Sequence, residues 1–493
     1  MKILMATPEI APFVKVGGLA DVVGALPKQL AAMGHDVRVI CPLYGGIWYG
    51  GEGWYGHESP LVVHTGGGIH YGRIWETKIP GSEAIAYFIE HRDYFDRHEV
   101  YTGPWGGHRD NPNRYTFLSR AVFALCHHLH WYPDVIHSHD WPTGLVPVIL
   151  NTCERHGPFG GTASVLTIHN LEHQGVFDKY FMRMAYIPDS EFRADSLECM
   201  GHINMLKGGI FHANKVTAVS PTYAREIQGE VGGCGLHDVL RFKSGDLVGI
   251  LNGIDTGAWN PETDPILPAH YSKDDFSGKA VCKTELQKRF CLHEDPTIPV
   301  FGVVARLVRQ KGLDILKDIA GSVVNNMRVQ IAILGAGDDD LQWAFGEMPK
   351  YYSGRIGSYI GFNNDLAHLI EAGSDFFIMP SRFEPCGLNQ MYSMHYGTPP
   401  IVRATGGLAD SVEQYREGQD QGTGFLFNDP TSHALYYSIG WACATYYDRP
   451  NEYRAMQIRS MQKDFSWKHS AQQYLNVYKW ALEKVGRYNT ESS

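Results

Sequence analysis

The sequence is poor in charge and has no surplus of positive charge. Charged residues make up 19% of the 493 residues, and 43 Lys and Arg stand against 53 Asp and Glu, a formal net charge of −10. This balance argues against a nucleic-acid-binding protein, which needs Lys and Arg for its phosphate contacts. With 44% hydrophobic and 12% aromatic residues, the chain is neither disordered nor fibrous. Its length predicts roughly two to four domains, and two large ones are the simplest expectation.

Long apolar runs are also missing. No stretch reaches the roughly 18 to 20 consecutive apolar residues that span a bilayer, and Pro8, Glu9 and Pro12 interrupt the apolar start of the chain. We therefore expect no signal peptide, no membrane partner and a cytoplasmic location, with a plastid location only if a transit peptide had been removed. The nine cysteines are scattered without a CxxC pair, which favours reduced thiols over a disulfide framework.

The sequence does contain a regular alternation of short aliphatic runs and longer helix-like stretches. This alternation is typical of βα units and predicts parallel sheets in an α/β fold. A Gly-, Pro-, Asn- and Asp-rich segment at 251–268 predicts a linker between two halves. The predicted strands are residues 2–6, 37–40, 134–139, 164–169 and 215–220 in the first half, and 300–306, 330–337, 355–361, 375–381 and 399–405 in the second.

The string Gly-Gly-Leu-Ala-Asp occurs on both sides of this linker. One copy starts at Gly17, two residues after Lys15, and the other starts at Gly406. Each is expected where a loop enters a helix, and a helix N-terminus binds anions through its N–H groups and its dipole. The two copies therefore suggest a phosphate-binding cleft between the halves. Neither copy is a Walker A loop or a GxGxxG fingerprint, and a plain glycine-rich βα turn is the alternative for each.

Two cations and one carboxylate follow predicted strands of the second half. Arg306 and Lys311 lie five residues apart after a strand, close enough to hold one pyrophosphate. Glu384 follows another strand, where a carboxylate can bind sugar hydroxyls or balance developing positive charge. The alternatives are a solvated charged turn and a helix cap. Cys386 has no sequence feature that would activate it as a nucleophile, so we interpret it as structural or sugar-lining.

The strings HSHDW (137–141) and IHNLEHQG (168–175) end two predicted strands. Because parallel strands present their carboxyl ends at one sheet edge, the polar groups of the two strings converge. Asp140 with Trp141 suits a sugar, since a carboxylate accepts hydrogen bonds from hydroxyls and an indole covers an apolar sugar face. The two histidines of HSHDW could instead hold the metal of a hydrolase, although a metal needs a third and a fourth ligand. The aromatic, glycine-rich segment 101–115 is either a glucan-stacking lid or a disordered turn.

Taken together, the motifs resemble one known family. In chain order they are KVGGLADVVGALP, HSHDW, TIHNLEHQG, TAVSPTYAREI, GILNGID, ARLVRQKG, SRFEPCGLNQ and TGGLADSV, and they extend over nearly the whole chain. This pattern is similar to that of bacterial glycogen synthases and plant starch synthases, which form glycosyltransferase family 5. The resemblance implies a GT-B fold, in which two Rossmann-like parallel-sheet domains face each other across an interdomain cleft. It divides the chain into an N-terminal glucan-acceptor domain (1–255), a nucleotide-sugar donor domain (256–465) and a C-terminal helix that packs back on the first domain (466–493).

The resemblance also implies roles for particular residues and implies no cofactor and no metal. Assigned to ADP-glucose binding are Lys15, Gly17, Gly18, Asp21, Asn252, Arg306, Lys311, Phe362, Cys386, Gly387, Leu388, Thr405, Gly406 and Gly407. Assigned to catalysis are Glu384, His169, Lys15, Arg306, Lys311 and Asp140, and assigned to the acceptor glucan are Tyr101, Trp141 and Asn170. Phe362 stands where related bacterial enzymes often carry Tyr, so its ring can stack on adenine but offers no hydroxyl.

The implied reaction is the retaining transfer of glucose from ADP-glucose to the non-reducing 4-hydroxyl of an α-1,4-glucan such as glycogen or a maltooligosaccharide. No carboxylate is a clear nucleophile, so we expect a front-face route in which the leaving phosphate helps to deprotonate the incoming hydroxyl. The alternatives are a GT-B enzyme with UDP-glucose or another acceptor, a phosphorylase, a metal-dependent hydrolase and a non-catalytic glucan-binding protein. The presence of Lys15, Arg306, Lys311 and Glu384 favours an enzyme, and the oligomeric state is unknown.

Overall fold

The structure is a computed structural model that describes residues 1–103 and 106–486. It divides into two compact units. The first unit joins Met1–Gly253 with the C-terminal segment that begins at Trp467, and the second unit is Ile254–Ser466. The predicted C-terminal segment ends outside the described residues. Of the helices in the described ranges, none is long and apolar enough to cross a membrane.

Helices and strands alternate through most of the described chain. Strands β1 to β21 are, in chain order, Lys2–Ala6, Asp36–Pro42, Trp54–Gly56, Leu61–Thr65, Gly68–Lys78, Ile85–Glu90, Thr102–Gly103, Gly106–Gly107, Val135–His139, Ala163–Ile168, Val176–Phe177, Glu198–Cys199, His202–Asn204, Lys215–Ala218, Leu247–Gly249, Val300–Val304, Gln330–Gly335, Ile356–Ile360, Phe376–Met379, Pro400–Arg403 and Phe425–Phe427. Helices α1 to α17 are Gly18–Ala32, Arg92–Phe95, Asn111–His128, Leu145–Ile149, Tyr180–Met184, Met205–His212, Pro221–Glu226, His237–Phe242, Ser277–Arg289, Leu313–Asn326, Asp339–Tyr351, Asn364–Gly373, Asn389–His395, Gly406–Ser411, Ser432–Asp448, Pro450–Met461 and Trp467–Lys484. The predicted strands are confirmed, although several end earlier than predicted because their last polar residues belong to the loops that follow.

The main sheet of the first unit is a parallel sheet with an antiparallel extension. Its parallel part has the order β15-β14-β10-β9-β1-β2-β6, and β5, β3 and β4 continue it in antiparallel pairs. Strand β10 is buried along its whole length, as expected for a strand covered by helices on both faces. Strand β4 alternates buried and exposed residues, as expected for a strand with one face in water. This extension was not predicted from the sequence.

The sheet of the second unit is parallel throughout, in the order β18-β17-β16-β19-β20-β21. In order of appearance in the chain this is 3-2-1-4-5-6, the order of a Rossmann fold. The parallel part of the first sheet follows the same rule from β6 to β14. Helix α10 shows how the helices cover the sheet, since Leu313, Leu316, Ala320 and Val323 are buried at helical spacing.

The last helix, α17, packs on the first unit although the whole second unit precedes it in the chain. The Tyr474 and Tyr478 side chains are fully buried in the core of that unit. The Tyr478 hydroxyl lies 2.9 Å from Nδ1 of His137 on β9, and the Ser470 hydroxyl donates to the carbonyl of Leu251 at 2.6 Å. Helix α17 is therefore part of the core of the first unit.

Candidate active site

The strand order of each sheet reverses at one place, between β1 and β9 in the first unit and between β16 and β19 in the second. Loops that leave neighbouring strands toward opposite faces of the sheet open a crevice there, and ligands bind outside the carboxyl ends of the strands. The predicted motifs follow these four strands. KVGGL follows β1, HSHDW ends β9, ARLVRQKG follows β16 and SRFEPCGL follows β19. The topology of each unit therefore brings its motifs to one sheet edge.

The loop between β1 and α1 is held by Glu9, a residue that was not predicted as functional. Glu9 is 3% exposed. Its Oε2 accepts the N–H groups of Val16 and Gly17 at 2.6 and 3.0 Å, and its Oε1 accepts the hydroxyl of Tyr101 at 2.5 Å. Burial raises the pKa of Glu9, and the three hydrogen bonds oppose that shift. The one sequence signal for this role is its place just after β1, at the carboxyl edge of the sheet.

The same loop presents Lys15 to solvent beside Asp21. The Lys15 ammonium donates to Oδ1 of Asp21 at 2.7 Å, and the Lys15 side chain is 54% exposed. Helix α1 begins at Gly18 with Gly17 as its N-cap. A phosphate contact was predicted for the Gly17 N–H, which here donates to Glu9. The donor-binding roles of these residues stay predictions.

Asp140 links the ends of β9 and β10. Its φ of 55° lies in the left-handed region, which is uncommon for residues other than glycine. Its Oδ1 accepts the N–H groups of His169 at 2.7 Å and Asn170 at 3.4 Å. Burial raises the pKa of Asp140 to about 7 despite these hydrogen bonds. The structure therefore brings together three residues that the sequence had predicted at neighbouring strand ends.

Three histidines line up beside Asp140. The rings of His137 and His139 are 4.2 Å apart, and Nδ1 of His139 lies 3.0 Å from Nε2 of His169. The two ring nitrogens of His137 contact the hydroxyls of Tyr478 and Thr167 at 2.9 and 2.6 Å. Burial lowers the pKa of His137 and of His169 to about 3, so both rings are neutral at pH 7. Within residues 1–103 and 106–486, no group of three or more His, Cys, Asp or Glu side chains is arranged to hold a metal.

The predicted acceptor residues Tyr101 and Trp141 lie near each other, with ring centroids 6.4 Å apart. Neighbouring residues of the first unit cover part of the Trp141 ring. Tyr115 meets it edge-to-face at 4.8 Å, and a Cβ on Gly175 would come within 2.5 Å of its ring. The Tyr101 hydroxyl is bonded to Glu9. Stacking of either ring on a glucan stays a prediction.

Segment 101–115 contains the short strands β7 and β8 and the start of α3 at Asn111. Pro104 and Trp105, at its centre, lie outside the described residues. The choice between a lid and a disordered turn therefore stays open.

Asn252 lies at the end of the first unit and is 5% exposed. Its Oδ1 is buried and has no hydrogen-bond partner among the residues that the structure describes. A buried acceptor without a partner is rare in folded proteins and is a position that a ligand can satisfy.

Lys311 and Glu384 form the central pair of the second unit. The Lys311 ammonium donates to Oε2 of Glu384 at 2.6 Å, the two side chains are 20% and 5% exposed, and the Ser381 hydroxyl donates to the same oxygen at 3.0 Å. Gly312 makes this approach possible. It has a φ of 66°, and a Cβ there would lie 1.9 Å from the carbonyl oxygen of Pro380. Glycine therefore lets the loop after β16 reach the end of β19.

Arg306 and Phe362 extend from the carboxyl edge of the same sheet. Arg306 is exposed, and its Nη2 lies 3.4 Å from Oε1 of Gln310. Phe362 follows β18 and is 89% exposed. An exposed cation and an exposed ring at this edge can still turn toward a ligand, and their roles in donor binding stay predictions.

The second Gly-Gly-Leu string packs against the backbone around Glu384. A Cβ on Gly406 would lie 1.8 Å from the carbonyl oxygen of Glu384, and one on Gly407 would lie 2.1 Å from that of Cys386. The Gly407 N–H donates to the Glu384 carbonyl at 3.2 Å, and the Thr405 N–H donates to the carbonyl two residues earlier at 2.9 Å. The residues of these N–H groups were assigned to ADP-glucose binding, and here the N–H groups bond to protein carbonyls.

The segment after Glu384 turns sharply into α13. Cys386 is 5% exposed, Gly387 has a φ of 73° and Leu388 is the N-cap of the helix. The side chain of Gln390 donates to the carbonyls of Cys386 and Gly387 at 3.1 and 2.9 Å. The backbone of these residues, which were assigned to ADP-glucose binding, is therefore fixed by hydrogen bonds from Gln390.

Comparison with known proteins identifies the family of this chain. Residues 2–242 match the family model of the starch synthase catalytic domain, and residues 285–456 match that of glycosyl transferases group 1. Glycogen synthase 1 of Geobacter sulfurreducens is 49% identical over 486 residues, which cover 98% of this chain and 97% of the relative. The glycogen synthase of Thermotoga maritima is 42% identical over 493 residues, which cover 99% and 100%. The catalytic domain of starch synthase IV from Arabidopsis thaliana, bound to ADP and acarbose, aligns with a TM-score of 0.91 and 32% identity over 98% of this chain and 99% of that one.

These similarities confirm the family and the fold class predicted from the motifs. They extend over nearly the whole length of the chain and of its relatives. The two Rossmann-ordered sheets are those of the GT-B fold. The chain belongs to the glycogen and starch synthase family and is a glucosyltransferase.

Proposed function

We propose that the chain transfers glucose from ADP-glucose to the non-reducing 4-hydroxyl of an α-1,4-glucan, with retention of configuration. The observation that carries this proposal is the Lys311–Glu384 pair, joined at 2.6 Å at the switch point of the second sheet. The relative from Arabidopsis is bound to ADP and acarbose, which supports a nucleotide-sugar donor and a glucan acceptor. The ADP-glucose donor and the 4-hydroxyl acceptor are the specific claims of the proposal.

In this proposal, Lys15, Arg306 and Lys311 bind the donor diphosphate. Oriented cations stabilise the negative charge that develops on a leaving diphosphate, and they do so best when the protein has already positioned them. Glu384 positions the Lys311 ammonium in this way. The N–H groups of Thr405, Gly406 and Gly407 bind the distal phosphate. This requires the Gly407 N–H to exchange its 3.2 Å bond to the Glu384 carbonyl, and the Thr405 N–H its 2.9 Å bond to the Arg403 carbonyl, for phosphate oxygens.

Glu384, Asp140 and His169 act on the glucosyl ring. The Glu384 carboxylate stabilises the positive charge that develops at the anomeric carbon. Asp140 accepts hydrogen bonds from sugar hydroxyls, and the neutral His169 contributes its backbone carbonyl. The leaving phosphate takes the proton of the incoming 4-hydroxyl on the same face. Exclusion of water protects the activated sugar from hydrolysis.

The remaining predicted residues position the two substrates. Phe362 stacks on adenine, Asn252 uses its buried Oδ1 to accept a donor hydroxyl, and Asp21 orients Lys15. The backbone from Cys386 to Leu388 contacts the glucosyl ring. The acceptor glucan contacts Tyr101, Trp141 and Asn170.

The test is incorporation of labelled glucose into glycogen from ADP-glucose and from UDP-glucose, with EDTA present. Transfer from ADP-glucose is expected, and Lys311→Ala should abolish most of it. Lys317→Ala is the matched control, since the Lys317 side chain on α10 is 34% exposed and pairs with Asp318. Preference for UDP-glucose would overturn the donor. Absence of transfer from either donor, with glycogen still bound, would instead favour a non-catalytic glucan-binding protein.

A further inference from the structure

Arg382 connects three segments at the carboxyl edge of the second sheet. It lies two residues before Glu384, in the loop that follows β19. Its N–H donates to the carbonyl of Gln310, between β16 and α10, at 2.8 Å, and its own carbonyl accepts Nη1 of Arg403, the last residue of β20. Its guanidinium donates to Oδ2 of Asp314 on α10 at 2.6 Å. One residue therefore joins the segments that follow β16, β19 and β20, each of which carries predicted donor-binding groups.

The ion pair between Arg382 and Asp314 joins the same two segments as the Lys311–Glu384 pair. Asp314 lies three residues after Lys311, and Arg382 lies two residues before Glu384. Each segment contributes the cation of one pair and the anion of the other, so the two pairs leave neither segment with a surplus charge. Two contacts between the same segments restrict their rotation against each other, which a single contact leaves free. The second pair therefore supports the geometry of the first.

The pair between Arg382 and Asp314 is not arranged for maximum stability. Nε of Arg382 and Oδ1 of Asp314 are buried and have no hydrogen-bond partner in the part of the chain that the structure describes. Buried atoms of this kind have lost water without a replacement, which reduces the net gain from an ion pair. The Asp314 carboxylate also has other stabilising contacts, since it lies in the first turn of α10 and 4.0 Å from the exposed Arg309. Polar groups that carry such a cost persist where their geometry serves a site.

We propose that Arg382 is a positioning residue for glucosyl transfer: through Asp314 it holds the segment of Lys311 against the segment of Glu384, and it contacts neither substrate. The inference rests on the proposed function, which supplies the roles of the two charges that are positioned. A lysine that moves freely still finds a diphosphate in the ground state, whereas the transition state needs both charges in place at once. Arg382 therefore acts on kcat and leaves the KM for the donor nearly unchanged.

The first test removes the ion pair from each end, with Arg382→Met and with Asp314→Asn. We expect each variant to lower kcat about ten- to a hundredfold, the effect of a small displacement of a positioned group, and to change the KM for ADP-glucose less than about threefold. Arg382→Lys keeps the charge and one hydrogen bond, so it should recover part of the loss. Arg328→Met is the matched control, because Arg328 is 59% exposed and pairs with Asp295 just before β17, at the amino edge of the sheet. It should change neither value.

The double variant Arg382→Met/Asp314→Asn separates positioning from folding. Asp314→Asn alone leaves the Arg382 guanidinium without its carboxylate, and the double variant removes that charge as well. The thermal midpoint of Ile254–Ser466 should therefore fall in Asp314→Asn and rise again in the double variant, while kcat stays as low as in the single variants. Recovery of kcat together with the midpoint would overturn the positioning role. So would a kcat of Arg382→Met within about twofold of the wild type.

These outcomes are distinct from failure of the proposed function. If the wild type transferred glucose from ADP-glucose and Arg382→Met kept its kcat, the proposed function would stand and the positioning role would fail. If the wild type preferred UDP-glucose, the proposed donor would fail, and the same kcat ratios measured with UDP-glucose would decide the role of Arg382. Absence of transfer from either donor would overturn both.

Discussion

At the scale of single residues, Glu384 is enclosed by groups that fix its position. Its carboxylate accepts hydrogen bonds from Lys311 and Ser381, and Gly406 packs on its backbone carbonyl. Removing one partner of a buried ion pair leaves the other charge uncompensated, so truncation of Glu384 mixes a structural effect with a catalytic one. An amide of the same shape separates the two effects.

Glu384→Gln should lower kcat roughly a hundredfold or more while changing the affinity for ADP much less. The reason is that the amide keeps the shape but loses the charge that stabilises the transition state. Steady-state kinetics and calorimetric titration with ADP measure the two quantities. Glu347→Gln, on the surface of α11, is the control. Unchanged turnover in Glu384→Gln would contradict the proposed role.

Asp140 makes stability depend on pH, because its pKa is raised to about 7 in the folded state and lies near 3.8 in a model compound. Between these values the unfolded state loses its proton first. The contribution of Asp140 to stability therefore falls as pH rises from about 4 to about 7 and is constant above that range. Asp140→Asn removes this penalty, so the difference in thermal midpoint between the variant and the wild type should increase in favour of the variant from about pH 4 to about pH 7. Asp318→Asn on the surface should show no such gain, and a pH-independent difference for Asp140→Asn would refute the prediction.

At the scale of elements, the two Gly-Gly-Leu-Ala-Asp strings show that identical sequence can serve different packing. Both strings start a helix, α1 and α14. A Cβ on Gly17 would meet no atom within 4 Å, whereas one on Gly406 would lie 1.8 Å from a backbone oxygen. The first string therefore has free space beside its first glycine, whereas the first glycine of the second string packs directly against the loop that contains Glu384.

Gly17→Ala and Gly406→Ala should therefore differ strongly in their effect on stability. Gly17 has an extended backbone that alanine adopts, so its thermal midpoint should shift little. Gly406 has a φ of 44° and no room for a Cβ, so alanine there should destabilise the second unit by about 3 kcal/mol or more. Thermal unfolding of the two variants makes the comparison. Similar midpoints for both would show that the packing at Gly406 adapts.

At the scale of the whole molecule, the first unit is built from two separate parts of the chain. Helix α17 contributes buried side chains to the core of that unit, and its Tyr478 hydroxyl contacts the buried His137. Burying a large apolar side chain contributes roughly 1.5 to 3 kcal/mol, so several of them on one helix exceed the margin by which most domains are stable. The first unit is therefore incomplete without the last helix.

Truncation before Trp467 should unfold the first unit and leave the second one folded. Scanning calorimetry of the shortened chain should lose the transition of residues 1–253 and retain that of Ile254–Ser466. Tyr478→Ala should lower the first transition in the full chain, and Trp480→Ala, a half-exposed position on the same helix, should have a smaller effect. A truncated chain with both transitions intact would contradict this account.

The sequence by itself determined the α/β class, the positions of the strands, the helix starts at the two glycine strings and the family. These features depend on the periodicity of neighbouring residues and on short motifs, which are local. The convergence of Asp140 with His169 was also predictable, because parallel strands share a carboxyl edge.

Only the tertiary structure decided which groups at the carboxyl edge of each sheet already have hydrogen-bond partners. It showed that Glu9 takes the N–H of Gly17, that Lys311 pairs with Glu384, and that the Gly407 N–H bonds to a carbonyl. It also decided that the chain between β2 and β6 forms an antiparallel extension. Each of these features joins groups that are distant in sequence or depends on how one segment packs against another. A pattern of neighbouring residues does not specify such contacts, because they form only when the whole sheet has assembled.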